Sequence, residues 1–142
     1  MQRSERLRRL RGHAVVEVAL LSPWIFFLFA GTLDMGFYTH AMISTQNAAR
    51  AAAAYTSRAK ANANDVTGAC RYALAELKTM NNVRSLSNCN SKPLVVTASE
   101  VSGADGSPAS SVSVTYQTGM LIPIPGLAGQ FNITRTVQMM LK

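Results

Sequence analysis

The stretch Val18-Ala-Leu-Leu-Ser-Pro-Trp-Ile-Phe-Phe-Leu-Phe-Ala-Gly-Thr-Leu33 decides the fold of this chain, because it contains no charged residue. As an α-helix it would be about 24 Å long, and extending it back to Ala14 gives the roughly 30 Å of a bilayer's hydrocarbon core. We therefore predict a membrane-spanning helix. The alternative is a buried helix of a soluble domain, which is disfavoured because no second helix in the sequence is apolar enough to cover it.

Positive charge is concentrated before this stretch. Residues 1–12 hold five arginines and one glutamate, a net charge of +4, which leaves +3 of the formal +7 for the rest of the chain. Basic residues beside a span favour the cytoplasmic side, so we expect residues 1–11 inside and the C-terminal part in a bacterial periplasm. Because the basicity lies in this leader and not in a groove with interleaved aromatic residues, no nucleic-acid partner is expected.

Gly12 and Glu17 form a further pattern at the start of the span. A charged residue inside an apolar span costs roughly 2.5–3.5 kcal/mol on insertion scales, so Glu17 needs a partner. If the chain were cut after Gly12, His13 would become the N-terminus, and its α-ammonium group would lie one helical turn from the Glu17 carboxylate. Neighbouring subunits staggered by one turn could then pair these groups. A secretory signal peptide differs, because its cleavage site follows the apolar region.

The sequence after the span predicts more helix and then a small sheet. Alanine-rich residues favour a helix to about residue 61, with a kink or loosening at Pro23. A short amphipathic helix is predicted over Ala69–Met80, and three segments alternate in the manner of strands; they are Leu94–Val101, Ser111–Gln117 and Phe131–Leu141. One-sided alternation is typical of an antiparallel sheet with one covered face. The outer half of the long helix is the element that can cover it.

These elements together predict an α+β fold. A long N-terminal helix, transmembrane in its first half, would pack on a small antiparallel sheet of about three strands plus one short helix, in a pilin-like lollipop. Residues 1–12 would be a cytoplasmic leader, residues 13–61 the long helix with its span ending near residue 34, and residues 62–142 a small periplasmic domain.

Cys70 and Cys89 are the two cysteines of the chain, and both follow the span. An oxidising periplasm permits a disulfide between them, and the loop of about 20 residues that it closes would contribute roughly 3 kcal/mol in the chain-entropy model. Redox or metal chemistry is disfavoured, because His13 and His40 lie far away along the chain and at or beside the membrane. We expect a structural disulfide and no metal or cofactor.

An apolar segment interrupts the strand pattern near the C-terminus. Two prolines prevent regular sheet pairing there, and connections normally run on the surface. One interpretation is that the segment caps the open end of the sheet. The other is that it contacts a partner subunit. The candidate interface residues are Met120, Leu121, Ile122, Ile124 and Leu127.

The chain resembles the TadE-like family of pilin-like proteins from tight-adherence, type IVc (Flp) pilus systems. The resemblance begins at Arg11-Gly-His-Ala-Val-Val-Glu-Val-Ala-Leu20, close to the family's Gly-x-x-x-Val-Glu-Phe-Ala-Leu opening, with Val18 where Phe is common. Asn47-Ala-Ala-Arg50 and Ile133-Thr-Arg-Thr-Val-Gln-Met-Met140 are weaker matches. The resemblance implies cleavage after Gly12 by a prepilin peptidase and a minor structural or assembly role in a pilus used for adhesion. The partners implied are other pilin-like subunits, the inner-membrane assembly platform and the bilayer.

Two other classes of function are compatible with an anchored periplasmic domain. The first is an uncleaved, membrane-anchored periplasmic binding or scaffold module, which would need neither Gly12 nor Glu17. The second is a small anchored enzyme, which would need titratable groups that converge in a pocket. The acidic residues Asp65, Glu76, Glu100 and Asp105 fall on separate elements, and no Ser-His-Asp set or phosphate-binding loop is present. We therefore predict a protein without enzymatic activity.

Overall fold

The computed structural model describes residues 2–119 and 130–142. Helix α1 covers Gln2–Thr56, a short 3-10 helix covers Lys60–Asn62, and helix α2 covers Val66–Glu76. The strands are β1 (Asn90–Ser91), β2 (Leu94–Ser102), β3 (Pro108–Gln117) and β4 (Asn132–Met140). The chain divides into two compact units, Met1–Gly36 and Phe37–Lys142.

The first unit is the N-terminal part of α1. Every side chain from residue 13 to residue 29 is exposed, including the large apolar ones; Trp24, for example, is 71% exposed. A helix that is apolar on all sides belongs in lipid or in the core of a large protein. This segment is long and apolar enough to be a single membrane span, as the sequence predicts.

In the second unit, the remainder of α1 packs on the sheet through small side chains. Ala41, Thr45 and Ala48 are buried, and the stripe continues through Ala52 to Thr56 at the same spacing of three or four residues. This spacing places all of these residues on one side of the helix. They share a core with Leu94, Val96, Val112 and Val114 of the sheet. Because alanine has only a methyl side chain, the helix can approach the strands closely.

The sheet is an antiparallel meander in the order β1-β2-β3-β4. Val96 pairs with Val114 and Thr97 with Ser113, so valines line the covered face while hydroxyl side chains line the other. On that second face, Thr136 donates a 3.1 Å hydrogen bond to Ser113. The predicted α+β fold is confirmed. The sheet has one strand more than expected. The additional strand, β1, is only two residues long and falls in a segment that was predicted to be a loop.

Both helices differ from the predicted bounds at their ends. Helix α1 ends at Thr56 and not near residue 61, and the backbone N–H of Lys142 donates to the carbonyl of Ser57 directly after it. Helix α2 begins earlier than Ala69, because Asp65 is its N-cap and accepts a 2.9 Å hydrogen bond from the N–H of Gly68. It ends at Glu76, and several of the backbone hydrogen bonds that follow, such as Met80 N–H to Leu77 carbonyl, span three residues and not four.

Candidate processing and assembly site

The Gly12–His13 peptide bond lies within the helical backbone of α1, which begins at Gln2. Glycine is about 1 kcal/mol less favourable than alanine in a helix interior, so this position lowers the cost of local unwinding. Unwinding would be required for the bond to enter a protease cleft, where the absence of a side chain at Gly12 also helps. The glycine therefore suits a cleavage position.

His13 and Glu17 are four residues apart on α1, so they project from the same face of the helix about 6 Å apart along its axis. Both side chains are exposed. Within the part of the chain that the structure describes, neither of them takes part in an ion pair. The Glu17 carboxylate is thus open to a group from another molecule.

The surface of α1 that follows His13 toward the C-terminal end of the helix is apolar around Glu17. Val15, Val16 and Val18 are 57–68% exposed, and Leu20, Leu21, Trp24 and Phe26 continue the same surface. An exposed apolar area of this extent needs lipid or other protein to cover it. An ionised Glu17 in that environment would be costly without a counter-charge.

Residues 12–54 match the model of the family described as TadE-like protein. This segment is TadE-like. The match begins at Gly12, includes Glu17, and ends two residues before α1 does. The predicted resemblance is therefore confirmed over this helix. No curated protein and no solved structure matches the chain.

The TadE-like segment contains two regions with different environments. From His13 to Gly36 its side chains are almost all exposed, whereas Ala48, Ala49, Ala52 and Ala53 are fully buried within the second unit. Arg50, between two pairs of these alanines, is exposed. The Asn47-Ala-Ala-Arg50 run noted in the sequence therefore places two alanines in the core and an arginine at the surface.

Cys70 and Cys89 form a disulfide, as the sequence predicts, with their Cα atoms 5.7 Å apart. The bond ties the middle of α2 to the segment before β1, and both residues are buried. Among the described residues, no group of three or more His, Cys, Asp or Glu side chains could hold a metal ion.

A cluster at the junction of α1 and α2 was not expected from the sequence. The Tyr55 hydroxyl donates a 2.7 Å hydrogen bond to Asp65 Oδ2, and the Tyr55 ring stacks on Tyr72 with 4.8 Å between ring centroids. The N–H of Gly68, followed by the Tyr55 hydroxyl, holds the pKa of Asp65 below its ordinary value. The one signal in the sequence was Asp65 itself, because aspartate is a preferred N-cap residue and it comes directly before Val66, the first residue of α2.

The candidate interface residues Met120, Leu121, Ile122, Ile124 and Leu127 lie outside the described residues. Their proposed contact with a partner subunit stays a prediction.

Proposed function

We propose that the chain is a minor pilin-like subunit of a tight-adherence pilus, cut by a prepilin peptidase after Gly12. The observation that carries this proposal is the TadE-like match, which associates the chain with Tad pili and begins at the glycine itself. The exposed apolar helix after that glycine supports it, because a cleavage that precedes the span leaves the span in the mature protein.

In this proposal the leader lies in the cytoplasm and the second unit lies in the periplasm. The five arginines of residues 1–12 support that orientation, because basic residues are retained on the cytoplasmic side. The Cys70–Cys89 disulfide supports it independently, since disulfides persist in oxidising compartments and are rare in the cytosol.

Assembly in this proposal depends on a charge pair between subunits. Cleavage gives His13 a free α-ammonium group, and the Glu17 carboxylate of a neighbouring subunit, shifted by about one helical turn, would pair with it. The pairing would be strong because lipid and apolar side chains screen charges poorly. Each subunit would add one such pair, so an unpaired subunit in the membrane would be drawn to the growing end.

The test is Glu17→Gln, which keeps the shape of the side chain and removes its charge. The matched control is Glu76→Gln, because Glu76 is exposed on α2 and makes no ion pair within the described residues. Pili sheared from cells and the membrane fraction are both probed for the chain. We expect Glu17→Gln to be cut and inserted normally but at least about tenfold depleted from the sheared fraction, since it leaves a buried ammonium unpaired.

Wild-type incorporation of Glu17→Gln would contradict the charge-pair mechanism. If the wild-type chain is uncut and stays in the membrane fraction, the protein is instead an anchored periplasmic binding or scaffold module. Depletion of the Glu76→Gln control to the same extent would mean that the assay reports loss of a carboxylate in general.

A further inference from the structure

An open cleft of about 730 Å³ lies in the second unit, between α2 and the segment that follows it. Both cysteines of the disulfide and Tyr55 are among the residues that line it. Ligand sites in proteins usually have volumes of roughly 300–1,000 Å³. The cleft therefore has room for a ligand of several sugar or amino-acid units.

The charges that line this cleft are mostly positive. Arg71, Lys78 and Arg84 contribute three cations, and Asp65 is the one carboxylate among the described lining residues. Asp65 is already engaged by Tyr55 and by the N–H of Gly68. In the portion of the chain that is described, none of the three cations has an ion-pair partner, but the Arg71 guanidinium lies 5.5 Å from the centroid of the Tyr72 ring. The charges of Lys78 and Arg84 are therefore the most open to an anion.

The three cations are distributed along the cleft. Arg71 lies in α2, and Lys78 lies in the turn, two residues after α2 ends. Arg84 lies in the next segment, which the disulfide holds beside α2 through Cys89. This distribution fits an extended ligand with repeated negative charges better than it fits a single compact anion.

Amide side chains in the lining of the cleft favour a ligand that carries hydroxyl groups as well as negative charges. The exposed side chains of Asn88 and Asn90 line the cleft, and within the described residues they make no hydrogen bonds. Amides can both donate to and accept from sugar hydroxyl groups. A nucleic acid is a poorer fit, because its dense phosphates select larger basic surfaces with aromatic residues for base stacking.

We propose that this cleft binds a segment of an acidic polysaccharide, with Arg71, Lys78 and Arg84 contacting the carboxylates or sulfates and Asn88 and Asn90 contacting the hydroxyl groups. The inference does not depend on cleavage after Gly12 or on entry into a pilus. An anchored module would carry the same cleft.

The test uses the full chain in non-ionic detergent and measures binding of four probes by calorimetry. They are an oligogalacturonate, a heparin oligosaccharide, neutral maltohexaose and single-stranded DNA. We expect the first two to bind and maltohexaose not to bind. Binding should weaken by several-fold between low and high salt, because exposed charges are screened. Preference for one of the two acidic probes distinguishes carboxylate from sulfate as the charged group.

The cleft variant is Lys78→Gln with Arg84→Gln, and the control is Arg50→Gln with Lys92→Gln. The control pair removes the same charge from exposed residues that do not line the cleft. We expect about fivefold or greater loss of affinity in the cleft variant only, since each exposed charge contact contributes modestly. Thermal melts of both variants show whether the fold is intact. Equal losses in both variants, equal or tighter binding of DNA, or no binding of either acidic probe to the wild-type chain would each overturn the proposal.

Discussion

The hydroxyl of Tyr55 donates a 2.7 Å hydrogen bond to the carboxylate of Asp65. Tyr55 lies in the last turn of α1, and Asp65 is the residue that caps α2. The bond therefore fastens the end of the long helix to the beginning of the short one. Because α2 carries Cys70, the same contact also positions the disulfide relative to α1.

Gly68→Ala should destabilise this junction. A Cβ atom at residue 68 would collide with the Tyr55 ring and with Asp65 Oδ2, so the ring that stacks on Tyr72 and the capping carboxylate would have to shift. Overpacking usually costs about 1–3 kcal/mol, and the better helix propensity of alanine offsets up to about 1 kcal/mol of that. We expect the melting temperature of the second unit, followed by circular dichroism, to fall by about 5–15 °C.

Gly119→Ala is the matched control for this prediction. Among the residues that the structure describes, the contact that a Cβ atom at residue 119 would make is with Asn82 Nδ2, at an ordinary 3.9 Å. Its melting temperature should stay within about 2 °C of the wild type, as for most surface substitutions. An unchanged melting temperature for Gly68→Ala would contradict the prediction, because it would show that the Tyr55 ring moves aside without a cost in stability.

Asp65 should make the stability of the second unit depend on acid pH. Its pKa is lowered from 3.8 in the folded chain, chiefly by the N–H of Gly68 and then by Tyr55. When folding lowers the pKa of a carboxyl group, that group stabilises the folded state fully at pH values above its pKa in the unfolded chain. The stabilisation is lost as the pH falls through its pKa in the folded chain. The difference in melting temperature between wild type and Asp65→Asn should thus be constant near neutral pH and shrink below about pH 4.

Glu76→Gln is the comparison variant at neutral pH, because Glu76 is exposed and has no ion-pair partner among the residues described. Its melting temperature there should stay within about 2 °C of the wild type. If Asp65→Asn melts at the same temperature as the wild type at neutral pH, the carboxylate does not stabilise the junction.

Features of this fold that depend on a long run of sequence could be predicted, whereas features that depend on contacts between separate elements could not. The span is a long run without charged residues, and β2, β3 and β4 alternate in the manner of strands over many positions. These patterns are visible in the sequence. The contact of Tyr55 with Gly68 depends on how two helix ends meet, and no local pattern encodes it. Strand β1 is too short to show any alternation.

The grouping of the three cations in the cleft could not be predicted from the sequence, for the same reason. Arg71, Lys78 and Arg84 are separated by thirteen positions in all, and α2 ends before Lys78. They line one cleft because the chain turns back after α2 and the Cys70–Cys89 bond fastens it there. The sequence predicted the disulfide correctly, but it did not indicate which side chains the disulfide would bring together.

Loss of the disulfide should destabilise the second unit strongly. Its cysteines are separated by 19 positions, and a closed loop of that size contributes roughly 3 kcal/mol in the chain-entropy model. We expect Cys70→Ser with Cys89→Ser to lower the melting temperature by more than about 10 °C. Reduction of the wild-type chain should give the same change and should have no effect on the double variant. A fall of under about 3 °C in both cases would contradict a stabilising role.

Thr56 and Ser110 should behave as a coupled buried pair. The Ser110 hydroxyl donates a 2.7 Å hydrogen bond to Thr56 Oγ1, and both residues are fully buried. Thr56→Val removes the acceptor and leaves a buried donor with only a long bond of 3.5 Å to the Ala63 carbonyl. An unsatisfied buried group costs about 1–3 kcal/mol.

A double-mutant cycle with Ser110→Ala measures this coupling by chemical denaturation. The double variant should be less destabilised than the sum of the two single variants by about 0.5 kcal/mol or more, because it removes both polar groups together. Strict additivity would mean that the two hydroxyl groups do not depend on each other.

The mass of the chain extracted from membranes of cells with an active tight-adherence system tests the central claim most directly. We predict that the wild-type chain begins at His13, because the peptidase removes residues 1–12. Gly12→Val should insert and keep its leader, while Gly31→Val should be cut normally. Gly31 lies elsewhere on the same exposed helix, and a Cβ atom added there would come within 4 Å of no described residue beyond the backbone of the helix around it. A wild-type chain that retains its leader, or a Gly12→Val chain that also begins at residue 13, would contradict the account.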